Sequence, residues 1–164
     1  MFQRHCLERD PEGLWVAEEN GAMVGFGFAW VCGDFWFLAQ LFIEPTAQSG
    51  GIGRALMEKT LRLEARHGTT NRALITFAYN RASTGLYLRH RLYPRQPIYG
   101  MKVSADQLAG RLGATGYTIT DLPAEPSEWM GALDARVLGF RRDDHHRLQA
   151  RSPGMRGLQI NGAH

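Results

Sequence analysis

The chain has 164 residues, 44% apolar and 21% charged, which suits one domain, or one domain with a substantial appendage, and supplies enough material for a real core. No apolar run approaches the roughly 18 residues that a membrane span needs, and the opening "MFQRHCLERDPEG" lacks the apolar stretch of a signal peptide, so a cytoplasmic protein away from membranes is expected. The formal net charge of +3 divides into −2 over residues 1–80 and +5 over residues 81–164, and "FRRDDHHRL" alternates in sign as a solvated helix face does, which argues against a nucleic-acid partner. Cys6 and Cys32 have no metal-type spacing; two reduced thiols and no metal site are expected.

In chain order, "LWVAEENGAMVGFGFAWV" holds two strand-like runs joined at Asn20-Gly21, a pair suited to the φ > 0 of a type I′ turn. The second run has a bulky face of Val24, Phe26, Phe28 and Trp30 and a small face of Met23, Gly25, Gly27 and Ala29. After a turn at Cys32-Gly33-Asp34, "FWFLAQLFI" reads as a third strand ending before Pro45. Residues 51–67 change to helical spacing, with Ile52, Ala55, Leu56 and Leu63 on one side, Glu58, Arg62 and Arg66 on the other, and Gly68 as the stop. "ALITFAY", residues 73–79, is a strand-length apolar run. A second helix over residues 82–90 and a further strand, "PIYGMKV" at 97–103, follow it. The fold class implied is α/β, a mixed sheet in which an antiparallel meander precedes two βα units. Beyond residue 103 come a small-residue helix candidate ("SADQLAGRLGATG"), a proline loop ("LPAEPSE") and a second helix candidate ("EWMGALDARVLGF"). Residues 151–164 form a tail with little periodicity, expected to be poorly ordered.

The chemistry concentrates in "AQSGGIGRAL". Three glycines in four positions before a helix let the backbone turn through φ > 0 and leave the first amides of the helix without partners, and the helix dipole adds positive potential there. The loop is therefore an anion cradle suited to a phosphate or pyrophosphate. Arg54 and Ala55 stand where a nucleotide-hydrolysing P-loop needs lysine and a hydroxyl, and Leu56 stands where a dinucleotide fingerprint needs its third glycine.

What remains is a loop Q-x-x-G-x-G, formed by Gln48, Gly51 and Gly53, between a strand ending in Ile43-Glu44-Pro45 and an amphipathic helix. It is followed by a strand ending in Asn80 and a helix carrying Tyr87. Over roughly residues 14–103 this order resembles the Gcn5-related N-acetyltransferase (GNAT) family. The resemblance implies transfer of an acetyl group from acetyl-CoA, as co-substrate, to a primary amine of a small molecule or peptide. It implies that main-chain groups of Leu41, Phe42 and Ile43 hold the pantetheine and thioester, and that Gln48, Ser49, Gly50, Gly51, Ile52, Gly53 and Arg54 hold the pyrophosphate. Asn80 and Ser83 would face the pantetheine arm, and Tyr87 would protonate the departing thiolate.

Each residue also has a structural reading. Asn80 can be an N-cap, Tyr87 a core aromatic, Gln48 a turn closure, Glu44 a solvated loop carboxylate, and His67 and His90 partners of helix ends. Only 13 residues precede Leu14 where the family places a strand and helices on the amine side, and Arg91 stands where the family has glycine. The resulting organisation is an acetyl-CoA-binding domain over 1–103 without those elements and a helical extension over 104–150, with similarity to the opening of a second module. The tail, 151–164, follows. Residues 104–150, in the same chain or in a homodimer partner, would then wall the open cleft. The alternative is a non-catalytic remnant of a tandem acetyltransferase that binds CoA or a partner protein.

Overall fold

The computed structural model describes residues 2–109, 116–122, 125–154 and 157–162. Helix α1 (Phe2–Arg9) leads into a three-stranded meander of β1 (Leu14–Glu19), β2 (Ala22–Cys32) and β3 (Phe35–Ile43). Helix α2 (Ile52–His67) returns the chain to β4 (Asn71–Leu74), which pairs parallel to β3, and α3 (Arg81–Arg89) follows. The sheet order is β1-β2-β3-β4, so the expected mixed sheet is present. Asn20 and Gly21, at φ 51° and 78°, make the β1–β2 turn.

The small face of β2 receives α2. A Cβ added to Gly27 would lie 3.2 Å from Thr60 Cγ2 and 3.5 Å from Leu56 Cβ, so the strand backbone and the helix meet without side chains between them. The buried stripe of α2 is Leu56, Met57, Thr60 and Leu63, whereas Ala55, expected on it, is exposed. Trp36, fully buried, donates from Nε1 to the Thr60 carbonyl at 3.1 Å, and the core gathers Ala29, Trp36, Leu38, Met57 and Tyr87. Gly51 and Gly68, at φ 86° and 66°, bound α2 at both ends.

Three expectations need correction. The strand expected at 73–79 is β4 at Asn71–Leu74: Asp34 pulls its start forward by accepting from the Thr70 amide and hydroxyl and from Asn71 Nδ2. Its end is early because an irregularity in the β2–β3 ladder, where Phe28 faces Gln40 but Ala29 faces Leu38, leaves Ala39 as an extra residue just where pairing with β4 stops. Residues 97–103 form no strand; Pro94 and Pro97 lack donors, and Ile98, Tyr99, Met101 and Val103 are exposed. In the tail, β6 (Leu158–Gly162) pairs antiparallel with β5 (Tyr117–Asp121), so the segment contains a strand and the extension is not wholly helical. The helix candidate at 104–116 appears as α4 (Ala105–Ala109); its residues 110–115, with 123–124 of the proline loop and 155–156 and 163–164 of the tail, lie outside the described residues.

Helices α5 (Glu128–Leu138) and α6 (Asp143–Ala150) pack at the β2–β3 turn. Phe140 stacks on Phe35 at 5.4 Å between centroids, and His145 meets Trp30 and Phe2 edge-on at 5.0 and 5.2 Å. Arg9 of α1 pairs with Asp144. Helices α5 and α6 thus cover the turn end of the sheet, at Trp30 and Phe35, and do not form the wall expected of residues 104–150 beside the open cleft, at the far end of β3. Asp134 clamps the two helices, accepting from Arg142 Nη2 and His146 Nε2 at 2.6 Å each while only 6% exposed.

Burial pushes the Asp134 carboxyl up, but hydrogen bonds from Arg142 and His146 more than offset it and leave it below its ordinary 3.8. Hydrogen bonds from Thr70 likewise hold Asp34 below 3.8. A depressed carboxylate pKa contributes stability that is present above the unfolded value and lost as pH falls through the folded one. The melting temperature should therefore hold between pH 7 and pH 5 and fall below about pH 4, as a thermal melt across that range will show. Asp134→Ala, which strands Arg142 beside a half-open site, should cost on the order of 1–3 kcal/mol in chemical denaturation at pH 7 and flatten part of that acid dependence.

Candidate functional site

β3 and β4 run side by side only as far as Leu38 and Leu74, and beyond that point β3 continues to Ile43 without β4 beside it. Into the gap project the loop after β3, the first turn of α2 and the first turn of α3. Together they enclose a cleft of about 350 Å³. Leu41, Phe42 and Ile43 form one side of it, Gln48, Ser49, Gly51, Gly53 and Arg54 the mouth, and Asn80 and Ser83 the opposite side. Ten residues singled out from the sequence thus share one cleft, while Gly50, Ile52 and Tyr87 are not among its lining residues.

The loop is held by its own chemistry. Gln48 Nε2 donates to the Ile43 carbonyl at 3.2 Å, tying the turn to the strand end, so its side chain does close the turn. Ser49 and Gly51, both lining the cleft mouth, adopt φ of 69° and 86°. The first helical hydrogen bond of α2 runs from the Ala55 amide to the Gly51 carbonyl at 3.0 Å, so the amides of Ile52, Gly53 and Arg54 have no acceptor within the helix. The first turn carries no acidic side chain, and Arg54 pairs with Glu58 at 2.8 Å while staying largely in solvent. A Cβ on Gly53 would lie 3.3 Å from Ile43 Cδ1 and 3.7 Å from Leu86 Cδ2. A side chain at that position would press on the tips of Ile43 and Leu86, where β3, α2 and α3 meet.

On the far side, Asn80 caps α3: its Oδ1 accepts from the Ser83 amide at 3.1 Å and its carbonyl from the Thr84 amide at 3.0 Å. The cap does not use Nδ2. Tyr87, one turn after Ser83, is 8% exposed, with its ring in the core. Burial pushes the phenol above its ordinary 10, against a smaller lowering from Ser83. Ala47, Ala82 and Leu86 also line the cleft and were not anticipated. For the last two the signal is helical spacing, since they lie four apart on the stretch of α3 that carries Ser83.

A second cavity, of about 480 Å³, lies at the other end of β3, between α1, the β2–β3 turn and α6. Cys6 and Cys32 line it as free thiols; burial, above all, raises Cys6 to about 11. His67 takes part in a different contact, with Asp10 at 3.1 Å, that ties the end of α2 to the segment before β1.

Residues 1–91 match the model of the acetyltransferase (GNAT) family. A mycothiol acetyltransferase of Streptomyces avermitilis is 33% identical over 85 residues, covering 49% of this chain and 27% of that protein. An uncharacterized N-acetyltransferase of Archaeoglobus fulgidus is 36% identical over 70 residues, 37% of this chain and 46% of that one. The matches thus span between a quarter and a half of those relatives' lengths. Among solved structures, the aminoglycoside N-acetyltransferase AAC(6')-Iy in complex with a CoA-containing bisubstrate analog superposes with a TM-score of 0.50 at 20% identity, over 62% of this chain and 76% of that one, a likeness of fold. With the family model matching more than half of its length, over the segment that builds the cleft, this chain belongs to the GNAT acetyltransferase family.

Proposed function

We propose that the cleft between β3, α2 and α3 binds acetyl-CoA and that the chain transfers the acetyl group to a primary amine. The observation that carries the reading is the row of α2 amides without helical acceptors, at the mouth of a cleft that the parting of β3 from β4 opens. The amides of Ile52, Gly53 and Arg54 suit the pyrophosphate, and the exposed Arg54 guanidinium adds charge of the right sign. The strand end at Leu41–Phe42–Ile43 suits the pantetheine and thioester, with Asn80 Nδ2 as a donor from the other side. In this reading 1–103 is the cofactor-binding domain and 104–150 an extension. Two free thiols suit the reducing cytoplasm.

The reaction follows from this placement. A neutral amine nitrogen attacks the thioester carbon, the tetrahedral intermediate loses the extra proton on nitrogen to water and expels CoA thiolate, and the thiolate takes a proton. Tyr87 holds a suitable proton but is not among the residues lining the cleft, whereas Ser83, one turn before it on α3, is. In this reading the Ser83 hydroxyl relays the proton: it gives its own to sulfur and takes one from the phenol. A phenol raised above 10 stays protonated through the physiological range, so no loss of kcat below pH 10 should trace to Tyr87. The burial of Tyr87 also favours the second reading, a CoA-binding module without turnover.

Gly53→Asp adds a side chain toward Ile43 and a negative charge beside the amides, and should abolish acetyl-CoA binding in calorimetric titration. Binding unchanged in a folded Gly53→Asp protein removes the cradle. Tyr87→Phe should lower kcat by about ten- to a thousandfold with acetyl-CoA affinity within a few fold. Ser83→Ala should match it, and the double variant should be no slower than either single one, because both break the same relay. Wild-type kcat in folded Tyr87→Phe takes the phenol out of the mechanism.

A further inference from the structure

The outer face of the sheet, away from α2, is covered at one end and open at the other. Across the row Leu14–Phe28–Gln40, α1 provides the cover: Phe2 meets Phe28 edge-on at 6.4 Å between centroids, and Gln3 Nε2 donates to Gln40 Oε1 at 2.8 Å. Two residues nearer the glycine loop, the next row on that face is Val16–Phe26–Phe42, paired across three strands. Alternation fixes its direction. Leu41 lies against the site of a Gly27 Cβ and Ile43 against that of Gly53, both toward α2, so Phe42 between them points outward. Phe26, between Gly25 and Gly27, does the same. The two rings lie 5.5 Å apart, Phe42 is 58% exposed and Val16 46%. The next outward position on β1 is Glu18, and just past β3 is Glu44; both carboxylates are exposed.

The result is an apolar shelf that ends in negative charge, at the same end of β3 as the cleft but on the opposite face. Phe42 belongs to both, since it lines the cleft and its ring lies beside Phe26 on the shelf. Resting on the reading that the cleft holds acetyl-CoA, we infer that this shelf receives the acceptor, and that the acceptor is a monoamine with a flat apolar or aromatic body. CoA fills the α2 and α3 side of the parted strands, so the nucleophile reaches the thioester from the other face. A hydrophobic body lies on Phe26 and Phe42, and its ammonium group is drawn to the end of the shelf at Glu44. A polyhydroxylated amine would instead press its hydroxyl groups against the rings of Phe26 and Phe42, which offer them no partner.

The test compares 2-phenylethylamine with ethylamine by kcat/KM at saturating acetyl-CoA, with acetyl-CoA Kd measured on the same samples. The full chain should favour 2-phenylethylamine by about tenfold or more, and Phe26→Ser should shrink that preference to within about threefold. Phe26→Leu, which preserves apolar volume, should keep most of it, and Glu44→Gln should raise KM for both amines. Equal kcat/KM for the two amines, or a preference that survives Phe26→Ser, overturns the inference. So does a homodimer in sedimentation that Phe26→Ser dissociates, because the shelf is then an interface between copies. Acetyl-CoA binding without turnover of either amine overturns the shelf alone, whereas absence of acetyl-CoA binding removes the cofactor reading and the shelf with it.

Discussion

The close approach of α2 to β2 is the constraint on which the rest of the structure depends. Gly25 and Gly27 leave the strand backbone bare where Leu56 and Thr60 cross it, and a methyl group at either position would meet backbone or side-chain atoms within 3.2 Å. Because the helix sits this deep, Trp36 can bury completely and reach the Thr60 carbonyl, and the N-terminus of α2 arrives level with Ile43 at the end of β3. A helix one side-chain layer farther out would carry its free amides away from the strand end. The anion cradle is thus a consequence of packing several residues away from it, and the glycines of β2 matter to the site as much as those of the loop.

The second constraint is the parting of β3 from β4. Sheets satisfy their backbone groups by pairing, so an interior strand that loses its neighbour in mid-course exposes donors and acceptors that need a partner. Here the extra residue at Ala39 sits at the point of separation, and Asp34 fixes β4 at the other end through Thr70 and Asn71, so the gap opens in one direction only. The loop and α3 then close it into a cleft instead of a groove. An extended ligand with amides of its own fits such an opening, since it supplies the hydrogen bonds that β4 withholds.

What was legible in the sequence was local chemistry with one solution. Asn20-Gly21 specifies a turn with positive φ, Gly51 and Gly68 delimit α2 to within a residue, and the alternation of β2 names the face that meets the helix. The lining of the cleft followed, because consecutive residues on one loop and one strand end cannot separate in space. What was not legible depended on distant partners. The apolar run at 73–79 looks like one strand, but which part pairs is decided by Asp34 and by the irregularity at Ala39, neither of which lies within it. Residues 97–103 have strand composition and no ladder, since Pro94 and Pro97 cannot donate to one. The depth of Tyr87 was also hidden: helical spacing puts it on the same face as Ser83, but only the packing of Trp36 and Met57 decides that the ring enters the core while Ser83 keeps the cleft.

The two ends of the sheet divide stability from chemistry. At the turn end, α1, α5 and α6 bring aromatic rings edge-on against Trp30 and stacked on Phe35, and the Asp134 clamp joins α5 and α6. The rings are half-buried, and Asp134 is buried. At the loop end the same sheet carries exposed Phe42 and Val16, Ser49 at positive φ, and α2 amides that have no acceptor within the helix.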